Sequence, residues 1–411
     1  MYLPYIRLYH RYIVLVLFVH VKPEISDKVH ELIDGGVMEP VKNVPRICTT
    51  HDFAQVREFG CLYVDKTSFA HQIVGNRGNV YFLSRPRMFG KSLFLSTIEY
   101  ILKGRKDLFR GLYIYDKYDW ASKYTVFHLD FSSFELESAT ALKIDFINEF
   151  EDIAEHQFNT KLSEPVSNNE TIPVCAYFKD LVRLAKKTEP TKRLCLLIDE
   201  YDAPITEHLN NMTIATKMQT VLRGFFKCLK SVQEDFPLVY ITGVTKFSKA
   251  NLFSSLSNVD DLSREEEFNA VCGFLRQEIE KDMMGHLQGS IKNEKGDHNV
   301  TRGDVNELLN KMATFYDGYQ FSRNGRAVFS PSATLSYFKE HNHQEFEERT
   351  PHVKFVFDIL PQYKHSDFPV NGQNVSLDHV EEITDLDELR IENILLDTGI
   401  LTLKGYDKYL Q

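Results

Sequence analysis

Apolar positions along this chain fall into two periods. Short apolar runs stand at residues 80–83, 124–131, 194–198 and 237–244. Runs of that length with little polar alternation predict strands buried on both faces. Between them apolar residues recur at helical steps, as in Leu93, Leu95, Ile98, Ile101 and Leu102 after Lys91. The same spacing predicts helices at about 139–159, 175–187 and 213–232. Gly104 stops the helix that follows Lys91. Strands alternating with helices predict βαβ units on a parallel sheet. Leu62-Tyr63-Val64 reads as a further short strand, with Asp65-Lys66-Thr67 capping a helix over 68–74. Beyond about residue 268 the pattern turns mainly helical, with a polar loop near 285–303 and weak patterning over 341–381.

This reading divides the chain into an N-terminal extension (1–48), an α/β domain (49–268), a helical lid subdomain (269–345) and a weakly patterned segment (346–411). The 411 residues suffice for two or three domains, and 43% hydrophobic residues provide a large core. Near the start, Arg7 and Arg11 precede an apolar run at 12–19, the outline of a signal peptide. The run is too short to span a bilayer and no small-residue cleavage site follows, so an extra strand or an untypical start is the preferred reading.

The chemistry concentrates at two strand ends. The strand at 80–83 runs into Ser84-Arg85-Pro86-Arg87-Met88-Phe89-Gly90-Lys91-Ser92, a turn that opens a helix. Backbone N–H groups at such a helix start, together with the helix dipole, favour phosphate. Lys91 can reach the outer phosphates and the Ser92 hydroxyl can bind Mg²⁺. The phosphate-loop pattern asks for glycine where this chain has Arg85, and Pro86 restricts Arg85 further, so a stiffer loop is expected. Arg85 and Arg87 either lend cations to the phosphates or are ordinary ion-paired surface residues.

The strand at 193–199 ends in Asp199 and Glu200. Asp199 is the expected Mg²⁺-associated carboxylate, and Glu200 is the type of residue that polarises an attacking water. An acid aimed at water favours hydrolysis over transfer to a second substrate. Thr242, Lys246 and Lys249, at and after the end of the next strand, are candidate γ-phosphate sensors, with a helix cap and solvated lysines as the plainer alternatives. Arg223 is a candidate charge stabiliser or a structural ion-pair partner.

With these residues in place, the chain resembles the AAA-ATPase-like family, whose longer members carry a PD-(D/E)XK-type nuclease domain after the ATPase. The resemblance rests on Gly60-Cys61-Leu62-Tyr63-Val64-Asp65-Lys66-Thr67, the loop at 83–92, Leu108-Phe109-Arg110-Gly111-Leu112-Tyr113-Ile114 and His128-Leu129-Asp130-Phe131-Ser132. It continues through Leu197-Ile198-Asp199-Glu200-Tyr201-Asp202, Leu222-Arg223-Gly224-Phe225-Phe226, the stretch 242–249, and Phe315-Tyr316-Asp317-Gly318-Tyr319-Gln320-Phe321, with a last faint match at 395–402. It implies a P-loop NTPase of the additional-strand, AAA-like type that uses ATP and Mg²⁺. It also implies that arginine in place of the first glycine is the family's habit, while Met88 stands where a second arginine is common. A nuclease domain would begin about where the chain reaches Gln411, so nuclease activity is not carried over.

The expected activity is slow ATP hydrolysis by a switch or motor module, alone, as a homo-oligomer or with a protein partner. The alternatives are a nucleotide-binding module that does not turn over and a remnant of an ATPase-nuclease acting on DNA. A net charge of −10 counts against a dominant nucleic-acid face. The six cysteines lack metal-type spacing and read as reduced, mostly buried thiols of a cytoplasmic or nuclear protein. No membrane role is expected.

Overall fold

A computed structural model describes residues 36–76, 79–162, 173–246, 252–296, 299–340 and 391–402. The apolar run at 12–19, Lys249 and nearly all of the weakly patterned C-terminal stretch lie outside the described residues.

Five parallel strands form one sheet: β1 (Asn79–Ser84), β2 (Tyr124–Asp130), β3 (Arg193–Asp199), β4 (Leu238–Gly243) and β5 (Val259–Asp261). Their order is β2-β3-β4-β1-β5, so β4 stands between the strands that lead to Lys91 and to Asp199. Side chains alternate between the two faces. Phe82, Leu196, Ile198, Val239 and Ile241 enter one core, while Tyr81, Leu83, Cys195, Leu197 and Tyr240 enter the other. Both faces are apolar because both are covered, as a parallel sheet requires.

The first core is closed by α4 (Ala139–Phe158), α5 (Val174–Thr188) and α7 (Met212–Lys230). The second is closed by α1 (Phe53–Glu58), α2 (Thr67–Gly75) and α3 (Lys91–Leu102). A one-turn helix, α6 (Ala203–Thr206), follows the turn after β3. A third cluster is built by α8 (Arg276–Asp282), α9 (Met284–Lys295), α10 (Arg302–Tyr316) and α11 (Pro331–Glu340), with Val64 packed into it. The buried Lys66 ammonium joins it to the sheet layers by binding the Glu278 carboxylate at 2.7 Å and the Ala270 carbonyl at 2.8 Å.

Three expectations change. Leu62-Tyr63-Val64 does not form a strand, because this segment meets Arg46 through a single bridge at Cys61 and no longer ladder. The polar stretch near 285–303 is largely helical, since Leu287 and Ile291 give it an apolar stripe that packs in the third cluster. Four cysteines are paired, contrary to the reading of all six as thiols. Cys48 bridges Cys61, and Cys175 on α5 bridges Cys228 on α7. Helix packing brings the second pair together across 53 residues, a proximity that sequence spacing does not carry. Cys195 and Cys272 are buried and lie outside the two disulfides. Strand β5 is short and half-buried, and its three residues carry no periodic signal.

Gly243 at the end of β4 is fixed by close approach. A Cβ there would lie 2.4 Å from Asp202 Oδ1 and 2.5 Å from the Tyr201 ring, both buried. Gly243→Ala is therefore expected to lower unfolding stability in urea by about 1–3 kcal/mol. A change within about 0.5 kcal/mol, the ordinary surface value, would show that the turn after β3 yields freely.

Candidate nucleotide site

Parallel pairing of β3, β4 and β1 brings the C-terminal ends of these strands to one edge of the sheet, the edge where open α/β sheets bind ligands. The loop after β1 reaches α3 through two residues in left-handed backbone, Met88 (φ 59°) and Gly90 (φ 95°). Glycine takes this conformation without cost and a side chain does not. Met88 lies half-exposed in the turn. Lys91 and Ser92 open α3, so free N–H groups of its first turn face the strand ends.

Lys91 is buried, with Nζ 3.3 Å from the Pro86 carbonyl oxygen and 3.3 Å from Glu200 Oε1. The Ser92 hydroxyl lies beside the Asp199 carboxylate and works to lower its pKa. Asp199 is buried, and burial first, then the neighbouring Glu200 charge, raise its carboxyl above the usual range. Glu200 adopts φ 47°, an uncommon backbone for a non-glycine residue, and its N–H bonds back to Asp199 Oδ1 at 3.0 Å. The structure thus brings Gly90, Lys91, Ser92, Asp199 and Glu200 into one group. Two carboxylates face one ammonium, and a divalent cation suits that excess of negative charge. Among the described residues no cluster of three or more metal-ligating side chains forms a cage. Mg²⁺ needs none, since a hydroxyl, one carboxylate and substrate phosphates are its usual protein-side company.

The two residues after Glu200 shape the turn. Tyr201 is buried and its hydroxyl donates to the Thr245 carbonyl at 2.8 Å. The Asp202 carboxylate accepts from Val244 N–H at 3.2 Å, from Thr245 N–H at 2.6 Å and from the Thr245 hydroxyl. Both residues lie in a motif that the sequence displays, but their task of tying the exit of β4 to that of β3 is a matter of tertiary contact.

Arg85 does not face the phosphate loop. Its guanidinium is buried, donates at 2.8 Å to the carbonyls of Ser84, Ser263 and Phe268, and stacks 4.2 Å from the Phe321 ring centre. The extended backbone before Pro86 directs it under the loop. Phe89 sits edge-on between Tyr319 and Phe321. Arg87 is half-exposed and makes no hydrogen bond or ion pair with any described residue. Thr242 is buried at the end of β4, its hydroxyl donating to the Leu83 carbonyl of β1 at 2.8 Å. Lys246 pairs with Asp261 at 3.3 Å, and its backbone N–H donates to Asp397 at 2.8 Å. Arg223 is exposed on α7 and contacts Gln219 at 3.5 Å. The last three are not part of the Lys91–Glu200 group.

A charge pair missed by sequence reasoning lies below Asp199. His128 of β2 bonds Glu99 of α3, Nδ1 to Oε2 at 3.0 Å. Asp130 ends β2 in register with Asp199 at the end of β3. Two strands ending in aspartate in the same alternation phase were the available signal. Burial works to raise Glu99, but the bond to His128 and the His128 charge overcome it, holding Glu99 at about 2. Burial likewise opposes protonation of His128, while the Glu99 bond and the Asp199 and Asp130 charges raise it overall.

A family profile described as Predicted AAA-ATPase matches residues 47–253, half of the chain. The fold is α/β with a parallel sheet, and the chain belongs to the AAA-ATPase-like family. It is also 30% identical over 352 residues to an uncharacterized protein encoded in the vnfD 5′ region of Azotobacter chroococcum mcd 1. The match covers 85% of this chain and 62% of that relative, so the chain spans under two thirds of the relative's length. Among the described residues no helix is long and apolar enough to cross a membrane.

The Glu99–His128 pair gives a signed pH dependence. Glu99 is depressed, so its contribution is present above the ordinary carboxyl value of 4.5 and is lost as pH falls towards about 2. His128 is raised, so its contribution is full below 6.5 and is lost as pH climbs through its folded value. Urea unfolding of Glu99→Gln against wild type should therefore show its greatest loss near pH 6 and a smaller one at pH 9. Equal losses at both would mean that the pair carries no charge.

Proposed function

We propose that this protein binds ATP with Mg²⁺ at the exits of β1 and β3 and hydrolyses it. The observation that carries this reading is the Lys91–Glu200 contact, with Ser92 and Asp199 alongside. It unites the cation, hydroxyl and two carboxylates that phosphoryl transfer to water requires, on rigid elements at the ligand edge of the sheet. Membership of the AAA-ATPase-like family supports the nucleotide. The strand order supports the additional-strand type, in which one strand separates the phosphate-loop strand from the acidic strand.

In this reading the α3 N-terminus and Lys91 hold the outer phosphates of ATP, with Lys91 leaving Glu200 for them. Ser92 and Asp199 hold Mg²⁺, which supplies charge neutralisation between phosphates. Glu200, freed from Lys91, orients water through its carboxylate. Arg87 is the remaining mouth cation, while Arg85 acts on the loop from beneath. In the same reading an α/β body spans about 49 to 268 and a helical lid 269 to 345, and the third apolar cluster supports the lid. Phe89, gripped by Tyr319 and Phe321, would transmit a change at the phosphates to the residues that follow that lid's α10.

Phosphate release from ATP, measured at several protein concentrations, tests the assignment and exposes any need for assembly. Glu200→Gln should lower turnover by at least about 100-fold while leaving ATP binding within a few-fold. Wild-type turnover no higher than that of Lys91→Ala would contradict hydrolysis and leave a nucleotide-binding module.

A further inference from the structure

Behind the phosphate loop lies a cavity of about 40 Å³, at the exits of β4, β1 and β5. Ser84, Arg85 and Pro86 line it together with residues 319–321, 396–397 and 401–402. Neither Lys91 nor Glu200 lines it, so it is separate from the site described above. Its volume admits about three waters or one small polyatomic ion.

The side chain that marks this space is Arg85. The guanidinium is buried, yet no carboxylate pairs with it among the described residues, and its Nε–H has no acceptor. Three backbone carbonyls and an aromatic face satisfy the rest of the fork. Carbonyl dipoles do not neutralise a buried cation, and an unmet buried donor is costly. Lys246, already paired to Asp261, and Arg264 line the same space. The lining carboxylate, Asp397, is engaged by the Lys246 backbone N–H and by the charges of Lys246 and Arg264. The Gln320 side-chain amide donates to the carbonyls of Ser322 and Arg323 and so is turned to its own loop.

We propose that this cavity binds a small oxyanion of the phosphate or carboxylate type, with Arg85 Nε as its buried donor. A guanidinium suits such oxyanions because its planar donors match their geometry. The ligand would sit against Pro86, which also touches the 391–402 segment: a Cβ on Gly399 would come within 2.8 Å of Pro86 Cγ. Occupancy would therefore brace the first residues of the phosphate loop against that segment. The site acts as an effector position, filled independently of ATP.

Isothermal titration in the Lys91→Ala background weakens the phosphate loop as a competing anion site, and the cavity variants below distinguish what remains of it. Inorganic phosphate and acetate, titrated separately at constant chloride, distinguish the two chemistries. One of them should bind saturably, one per chain. Arg85→Lys should weaken that binding by about tenfold or more, and Leu401→Glu, which adds a carboxylate to the cavity wall, should abolish it. Should Arg85→Lys fail to fold, Leu401→Glu alone decides. The proposal is overturned if neither anion binds to Lys91→Ala, or if binding survives Leu401→Glu unchanged. An ATP turnover result of either sign leaves this outcome unaffected, since Lys91 is absent throughout.

Discussion

Asp202 accepts hydrogen bonds from the backbone of Val244 and Thr245 and from the Thr245 hydroxyl, in surroundings closed to water. Burial and the Glu200 charge push its carboxyl up, so those donors are what make the position tolerable. Through them the exit of β4 is pinned to the exit of β3. The Tyr201 hydroxyl, bonded to the Thr245 carbonyl, repeats the tie one residue earlier. With both ends fixed, the intervening turn is confined, and Glu200 takes up its left-handed backbone. The same crowding leaves no room for a side chain at Gly243. Strain at Glu200 is thus supported by its neighbours, as strained residues at functional sites generally are.

The loop from β1 to α3 is held in a comparable way. Arg85 anchors its start to the carbonyls of Ser263 and Phe268, while Phe89 anchors its far end between Tyr319 and Phe321. A glycine-rich loop adapts its backbone to phosphate. This one has given up a glycine for a buried arginine and gains attachment to the segments that follow the sheet. Of its left-handed residues, Met88 lies between the two anchors and Gly90 directly after the second, where the loop must turn into α3. The Lys91–Glu200 contact then spans the two fixed halves of the site.

Much of this was legible in the chain. Long apolar runs marked β1 to β4 because strands buried on both faces need no polar alternation, and the helices around them followed from spacing. The pairing of Lys91 and Ser92 with Asp199 and Glu200 was readable because each group stands at a strand end. What escaped depended on tertiary direction. Arg85 looked like a phosphate ligand in sequence, yet Pro86 and the surrounding carbonyls turn it away. Thr242 looked like a sensor, yet its hydroxyl serves the β1–β4 junction. The Cys175–Cys228 bridge and the Glu99–His128 pair join residues far apart in sequence, and short β5 carries no period.

The central claim is that the exits of β1 and β3 form one Mg²⁺-nucleotide site. Titration of a non-hydrolysable ATP analogue, with and without Mg²⁺, into wild type and Asp199→Asn tests it most directly. The account predicts Mg²⁺-dependent binding to wild type and a loss of about tenfold or more of that dependence in Asp199→Asn. Binding that ignores Mg²⁺, or that is equal in the two proteins, would contradict it.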